Sequence, residues 1–303
     1  MGEKVSDTIK RISREHLTKH NGLILGQCLT AVGWVGGTVP EMKEEEGIVE
    51  LSMSDVLNGY FVTGIARAGR RPIYVVRYQG FQWFNSIGLI NYAAKSKDLW
   101  EAPCPTFIRS IAMDGGIGPV ASGTHHGIYA RMPGIPIAAP MTSKEYESVW
   151  DFFMNHDDVV LCSEHRRSFG IDYEFEDTIK NDADITLLPI SSTRLNAIEA
   201  VKNLEKEGIT CNINNVLWLK PFNPSDKMIY SVNNSKYGGL FLDGEHENGL
   251  AKCLAFDLMH KIEKKIHVLG LEERTAGFSP HLDNLPPSAG KIEKKVKEIM
   301  SKG

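Results

Sequence analysis

The chain has 303 residues, of which 42% are hydrophobic and 24% charged, and its formal net charge is −4. This length and apolar content allow a large buried core and two domains, while the weak negative charge gives no electrostatic reason to expect nucleic acid or an anionic membrane as a partner. The five cysteines form no CxxC pair and no Cys/His cluster, so neither a disulfide framework nor a zinc site is indicated.

Helix and strand patterns alternate along the first half of the chain. Apolar residues at helical spacing predict helices over 5–20, 56–68, 83–97 and 143–154, the last with Ser143 as its cap. Short apolar or β-branched runs predict strands over 22–26, 73–78, 106–111, 135–139 and 159–162. Such alternation is typical of a parallel α/β sheet.

The alternation repeats after a polar, acidic stretch without strong periodicity. Strands are predicted over 184–190, 209–217, 238–243 and 265–270, with helices over 194–206, 224–234 and 248–262. The lysine-rich segment 291–302 predicts a solvated helix face. The predicted fold class is therefore α/β, with a parallel-sheet domain over 1–165, a linker over 166–182 and a smaller α/β domain over 183–303.

Three motifs carry the residue types from which a cofactor site is built. Asp55 lies in Ser-Met-Ser-Asp-Val, Phe81 in Tyr-Gln-Gly-Phe-Gln-Trp-Phe, and His125 in Gly-Thr-His-His-Gly. An acidic side chain can hydrogen-bond a ring nitrogen, an aromatic ring can stack on a heterocycle, and an imidazole can move protons near neutral pH. Together the three residues predict a site that holds and activates a ring-shaped cofactor.

The segments around these motifs match those of one enzyme family. Residues 25–27 stand where its members carry Leu-Gly-Glu, and residues 51–55 where they carry Thr-Pro-Ile-Ser-Glu. Residues 64–72 match Gly-x-Ala-x-x-Gly-x-Arg-Pro, and residues 78–95 match a segment that begins Phe-Ala-Asp-Phe and ends Asn-Glu-Ala-Ala-Lys. The chain resembles the pyrimidine-binding half of the transketolase-like thiamine diphosphate enzymes, in particular the beta subunit of the 2-oxoacid dehydrogenase decarboxylase component.

This resemblance extends to residues 184–188 and 216–221, and so covers nearly the whole chain. It implies a pyrimidine-binding domain followed by a transketolase C-terminal-like domain. It also places Asp55 on the family's activating glutamate and Phe81 on the aromatic residue that stacks on the pyrimidine. Tyr78 is a further candidate cofactor contact. His125 stands at the active-site histidine, with His126 beside it as the alternative.

Each candidate residue also has an ordinary structural interpretation. Asp55 follows a serine and precedes a predicted helix, so it could simply cap that helix. Core packing is the interpretation for the neighbouring aromatic residues Tyr78, Trp83 and Phe84. The glycine-rich loop before His125 lacks the spacing of a phosphate-binding loop, and a histidine is most often a surface or core residue.

The family's metal motif is missing from the chain. Its members hold the cofactor's diphosphate through Mg²⁺ with Gly-Asp-Gly followed at a distance by asparagine. In the segment 243–248 the asparagine is too close, and Asp114-Gly115 has the same problem, so 243–248 is interpreted as a strand-to-helix joint. The resemblance therefore implies a thiamine diphosphate site shared with an alpha-type subunit, which holds Mg²⁺, in an α2β2 assembly.

The expected reaction is cleavage or formation of a C–C bond beside a carbonyl. The Gly-Thr-His-His-Gly loop favours transketolase-like ketol transfer or carboligation of a ketose-type substrate, whereas the overall sequence favours 2-oxoacid decarboxylation. Aspartate in place of the family's glutamate leaves a third interpretation open, a catalytically silent scaffold subunit. The sequence shows no apolar run of membrane-spanning length and no secretory pattern in its first residues, so the cytoplasm is the expected location.

Overall fold

The computed structural model describes residues 2–302, except for the side chain of Val32, and forms two compact units. The first contains the chain up to Met113 together with Ile128–Glu174. The second contains Asp114–Gly127 together with the chain from Phe175 on, so a loop from the middle of the sequence belongs to the C-terminal unit. The domain boundaries at 165 and 183 stay a prediction.

The first unit alternates strands and helices. Its strands are β1 (Leu23–Gly26), β2 (Ile48–Glu50), β3 (Pro72–Val76), β4 (Thr106–Ala112), β5 (Ile137–Ala138) and β6 (Val159–His165). The helices up to the end of this unit are α1 (Val5–Lys19), α2 (Ala31–Gly37), α3 (Asp55–Arg67), α4 (Gln82–Asn91), α5 (Ser96–Trp100), α6 (Gly127–Ala130) and α7 (Ser143–Met154). In α2, residues 33–37 have φ between 54° and 79° and turn left-handed.

The strands of the first unit lie in the order β2-β1-β3-β4-β6-β5, and every neighbouring pair is parallel. All residues of β3, β4 and β6 are buried. Central strands covered on both faces carry apolar side chains on both, as in the unbroken apolar run of β3 and in the first four residues of β6. The carboxyl ends of these parallel strands all meet one edge of the sheet.

The second unit repeats this arrangement at smaller size. Its strands are β7 (Ile185–Pro189), β8 (Cys211–Ile213), β9 (Trp218–Lys220), β10 (Gly239–His246) and β11 (Ile266–Leu271), and its helices are α8 (Thr193–Lys206), α9 (Asp226–Asn233), α10 (Leu250–Met259) and α11 (Ala289–Lys302). Four strands form a parallel sheet in the order β11-β10-β7-β8. The predicted α/β fold class is confirmed.

Helices α3 and α4 pack backbone to backbone at two glycines. A Cβ atom on Gly59 would lie 2.1 Å from the carbonyl oxygen of Asn85, and one on Gly88 would lie 2.6 Å from the carbonyl carbon of Gly59. Only glycine at both positions allows this approach, because any side chain would push the helices apart. The contact fixes the two helices that follow β2 and β3.

Three local predictions were wrong. Thr142, not Ser143, caps α7, since its side chain accepts a hydrogen bond from the backbone N–H of Glu145. The helix expected over 83–97 ends at Asn91, because the chain turns there so that Ala93 and Ala94 become buried. The strand expected over 209–217 is shortened to β8, because Asn215 leaves the sheet and its backbone N–H bonds the carboxylate of Asp177 at 2.7 Å.

The aromatic residues after β3 also differ from expectation. The side chains of Trp83 and Phe84 are 60% and 55% exposed, so core packing is the wrong interpretation for both. No helix among residues 2–302 is long and apolar enough to cross a membrane.

Candidate active site

A cavity of about 270 Å³ lies in the first unit, among the residues that follow β1, β2 and β3. Gln27 comes directly after β1, Asp55 follows β2, and Tyr78 and Phe81 follow β3. Because these neighbouring strands are parallel, their carboxyl ends converge, and ligands of α/β sheets bind at that edge. The structure thus brings together the acid and the two aromatic residues singled out in the sequence.

Asp55 lies at the start of α3 but does not cap it. Ser54 occupies the N-cap position and makes no side-chain capping bond, so the capping interpretation of Asp55 is wrong. Its half-buried carboxylate instead accepts a hydrogen bond on Oδ1 from Nε2 of Gln27, at 2.9 Å. Among the described residues, nothing donates a hydrogen bond to Oδ2. One carboxylate oxygen at the cavity wall is therefore available to a ligand.

Two aromatic rings form a second wall of the cavity. The ring centroids of Tyr78 and Phe81 lie 6.5 Å apart, with a 37° angle between the planes. The guanidinium carbon of Arg166 lies 5.4 Å from the Tyr78 centroid, a cation–π distance that holds this ring in place. The turn carrying Phe81 is anchored by the buried Gln79 side chain, which donates to the carbonyl of Ser110 at 3.1 Å.

The lining residues that sequence reasoning did not select include Gln27, Tyr74 and Asn85. Burial and the nearby charge of Asp55 raise the pKa of the Tyr74 hydroxyl, so Tyr74 stays protonated at neutral pH. The position of Gln27 in the 25–27 motif was the available signal for it. Tyr74 lies within a fully buried strand and Asn85 inside a helix, where the sequence pattern indicates only packing.

His125 and His126 lie in the second unit, on the loop 114–127. His126 is fully buried and its Nε2 lies 3.2 Å from Oδ2 of Asp243 and 3.9 Å from Oε2 of Glu245. The Glu245 carboxylate also accepts hydrogen bonds from the backbone N–H of Gly127, at 3.1 Å, and of Leu250, at 3.4 Å. Two buried acids from the end of β10 therefore hold the histidine loop.

The two adjacent histidines have opposite pKa shifts. Burial, with the positive charges of His126 and His246, lowers the pKa of His125 to about 4. Burial alone would also lower the pKa of His126, but the Asp243 and Glu245 carboxylates raise it to about 9. Burial in turn raises the pKa of Glu245. At neutral pH His125 is uncharged, whereas His126 is an imidazolium paired with acid.

The same cluster has donor atoms at metal-ligand spacing. Those of His126, Asp243 and Glu245 all lie within 4.8 Å of one another. Two buried carboxylates need a positive charge, which either a cation or a protonated imidazole supplies. Because the pKa of His126 is raised, its imidazolium can supply that charge at neutral pH.

Comparison with known proteins identifies the fold. No protein-family model matches the sequence. A solved structure described as a split-gene transketolase, inactive beta4 tetramer, superposes with a TM-score of 0.76 at 14% identity and 99% coverage of both chains. The chain thus has a transketolase-like fold.

Curated relatives give the more particular likeness. The beta subunit of the pyruvate dehydrogenase E1 component from Rickettsia felis is 22% identical over 78% of each protein. The beta subunit of 2-oxoisovalerate dehydrogenase from Bacillus subtilis is 25% identical over 78% of this chain and 77% of its own. The resemblance to 2-oxoacid dehydrogenase beta subunits, predicted from the sequence motifs, is confirmed.

Proposed function

We propose that this chain is the beta-type, pyrimidine-binding subunit of a split thiamine diphosphate enzyme that cleaves or forms a C–C bond beside a carbonyl. One observation carries the proposal. Asp55, Tyr78 and Phe81, three residues selected as cofactor contacts from sequence alone, line a single cavity at the carboxyl edge of the first sheet. Capping no longer explains Asp55, since its carboxylate faces Gln27 and the cavity instead.

The cavity fits part of the cofactor rather than all of it. Its volume of about 270 Å³ is below the roughly 300–1,000 Å³ of complete small-molecule sites, as a half-site should be. Phe81 would stack on the aminopyrimidine ring, and the free oxygen of Asp55 would bond its ring nitrogen, with Gln27 fixing the carboxylate. Bound thiamine diphosphate supplies the carbanion chemistry, and the protein supplies orientation and electrostatics.

The histidine loop is proposed to serve the substrate. His125 is uncharged at neutral pH, so one ring nitrogen can accept a proton while the other donates a hydrogen bond. His126 is fully buried and ion-paired, so we assign it the positioning of the loop rather than contact with substrate. Adjacent groups whose pKa values are driven apart are a frequent mark of acid–base sites.

A partner chain is required by the proposal, because this chain lacks the Gly-Asp-Gly motif that would hold Mg²⁺ and the diphosphate. Helices α3 and α4 expose a face of large apolar side chains, the apolar helix face: Leu57, Phe61, Trp83, Phe84 and Ile87. Aromatic residues are enriched in protein interfaces, and exposed patches of this kind mark interaction sites. An alpha-type subunit covering this face in an α2β2 complex, located in the cytoplasm, would complete the site. The superposed split-gene transketolase is described as inactive in its beta4 form, which supports the need for a partner.

A 2-oxoacid dehydrogenase beta subunit and a catalytically silent scaffold are the two alternatives to ketol transfer or carboligation. The names of the curated relatives favour a 2-oxoacid dehydrogenase beta subunit, whereas the Gly-Thr-His-His-Gly loop favours ketol transfer or carboligation. Aspartate at position 55 favours a silent scaffold. Purifying the native complex and identifying its chains and bound cofactor by mass spectrometry separates them. A Gly-Asp-Gly partner supports an enzyme, a lipoyl-bearing acyltransferase selects the dehydrogenase, and absence of thiamine diphosphate contradicts the proposal.

Exchange of the thiazolium proton tests Asp55 directly. In the assembled complex, Asp55→Ala should nearly abolish deuterium uptake at that carbon, because the ring nitrogen loses its carboxyl partner. Asp55→Glu restores the family's side chain and should keep or increase exchange. Asp151→Ala, at an exposed position of α7, is the matched control. Wild-type exchange no faster than that of the free cofactor would support the scaffold interpretation instead.

A further inference from the structure

The second unit contains a cavity of about 600 Å³ that the proposed function does not use. It is lined where the chain enters β10 and β11 and by the last turns of α11. Asp243 and Glu245 lie in the second half of β10, roughly 20–26 Å from Tyr237 at about 3.3 Å per residue. The cavity and the histidine cluster therefore occupy opposite ends of the same sheet.

The lining of this cavity is strongly basic in a chain whose net charge is −4. Two glutamates, Glu263 and Glu298, oppose five lysines, a surplus of three positive charges. The lysines are Lys236, Lys264, Lys265, Lys295 and Lys302. Clustering like charges costs free energy unless something anionic binds among them.

Among the described residues, one of these lysines lines the cavity with neither a hydrogen bond nor an ion pair. Glu298 pairs with Lys295 at 3.3 Å and with Lys302 at 2.5 Å. Lys265 is exposed, and among residues 2–302 its ammonium makes no hydrogen bond or ion pair. Burial and the charges of Lys295 and Lys265 lower the pKa of His267, which records the positive potential inside the cavity. The cavity thus has the charge and the free donor of an anion site.

The other lining residues indicate that the anionic ligand also has an organic part. Tyr237 is half-buried, and the ammonium nitrogen of Lys236 lies 4.9 Å from its ring centroid. Ile299 is buried in the last turn of α11. A ring and an aliphatic side chain offer contact to an organic group, while ammonium groups bind phosphate as point charges. A volume of about 600 Å³ is ample for a metabolite-sized ligand.

We propose that this cavity binds a phosphate monoester of a small organic molecule, with its phosphate at Lys265 and Lys295 and its organic part against Tyr237 and Ile299. The site is separate from the cofactor cavity and does not depend on the function proposed above. Its position at the amino-terminal edge of the sheet suits a regulatory ligand rather than a reacting one.

Calorimetric titration of the full chain with phenyl phosphate and with inorganic phosphate tests the proposal. We expect phenyl phosphate to bind with a Kd below about 1 mM and at least about threefold more tightly than inorganic phosphate. Lys265→Gln should weaken binding at least about fivefold, since it removes the free ammonium. Lys294 is an exposed residue of helix α11 that does not line the cavity, so Lys294→Gln should change the Kd less than about twofold.

Three results would overturn the assignment. The first is no saturable binding of phenyl phosphate below about 10 mM. The second is equal weakening by Lys265→Gln and Lys294→Gln, which would attribute binding to general surface charge. The third is tighter, Lys265-dependent binding of a hexaglutamate peptide, which would make the cavity a docking site for an acidic protein segment.

Discussion

Replacing Asp243 with asparagine should remove most of a pH-dependent contribution to the stability of the second unit. The folded pKa of His126 is about 9 against an ordinary value of 6.5. A raised pKa stabilises the folded state fully below pH 6.5, and the contribution is lost as pH rises through 9. The linkage relation gives about 3 kcal/mol at pH 6 and less than about 1 kcal/mol at pH 9. Glu245, at 3.9 Å, should preserve a minor part in the variant.

Urea unfolding followed by circular dichroism, from pH 6 to pH 9.5, measures the effect. The difference in unfolding free energy between wild type and Asp243→Asn should be at least about 1 kcal/mol larger at pH 6 than at pH 9. Asp257→Asn, at an exposed position of α10, should show a small difference that does not vary with pH. A difference independent of pH for Asp243→Asn would refute the paired imidazolium.

Three more predictions concern other parts of the chain. Gly59→Ala should destabilise the protein by about 3 kcal/mol, because the new Cβ atom would lie 2.1 Å from the Asn85 carbonyl oxygen. Gly64→Ala, in the same helix but facing open space, should stabilise it by up to about 1 kcal/mol. Equal melting temperatures of the two variants would contradict the helix contact. Glu164→Ala should lower the free energy of unfolding by about 3–5 kcal/mol, because it leaves the buried Arg109 without its carboxylate partner at 2.6 Å. Glu147→Ala, which removes an exposed ion pair, should lower it by less than about 1 kcal/mol. Similar losses in the two variants would argue against the buried pair. His125→Ala should lower turnover of the assembled complex by roughly 10²–10⁴-fold with little loss of stability, and His126→Ala should chiefly lose stability; the reverse pattern would exchange the two roles.

The fold was predictable because its signals are local. Strand β3 appears as an apolar run of five residues, β6 begins with the apolar run 159–162, and α3 ends just before Gly69. The break after Asn91 was not predictable, since no glycine or proline marks it and burial of Ala93 decides it. Trp83 and Phe84 were misjudged because an aromatic residue in a core and one exposed on a helix have the same sequence signature.

The candidate site was predictable only in part. Asp55, Tyr78 and Phe81 follow neighbouring strands, so topology alone brings them together once the sheet is parallel. His126 and Asp243 are 117 positions apart in the sequence, and neither local sequence indicates that the two side chains are in contact. The segment 243–248 was correctly interpreted as a strand-to-helix joint, but its acids gain a role only through the tertiary contact with the histidine loop.

The discontinuous second unit limits how the protein can be dissected. A fragment from Phe175 onward contains every strand of the smaller sheet but not the loop 114–127. In that fragment Asp243 would lose its imidazolium, and Glu245 would lose both His126 and the N–H of Gly127. Proteolytic or recombinant separation at the apparent linker should therefore yield an unstable C-terminal piece. A fusion that joins the loop 114–127 to the fragment would restore these contacts and should be more stable than the fragment alone.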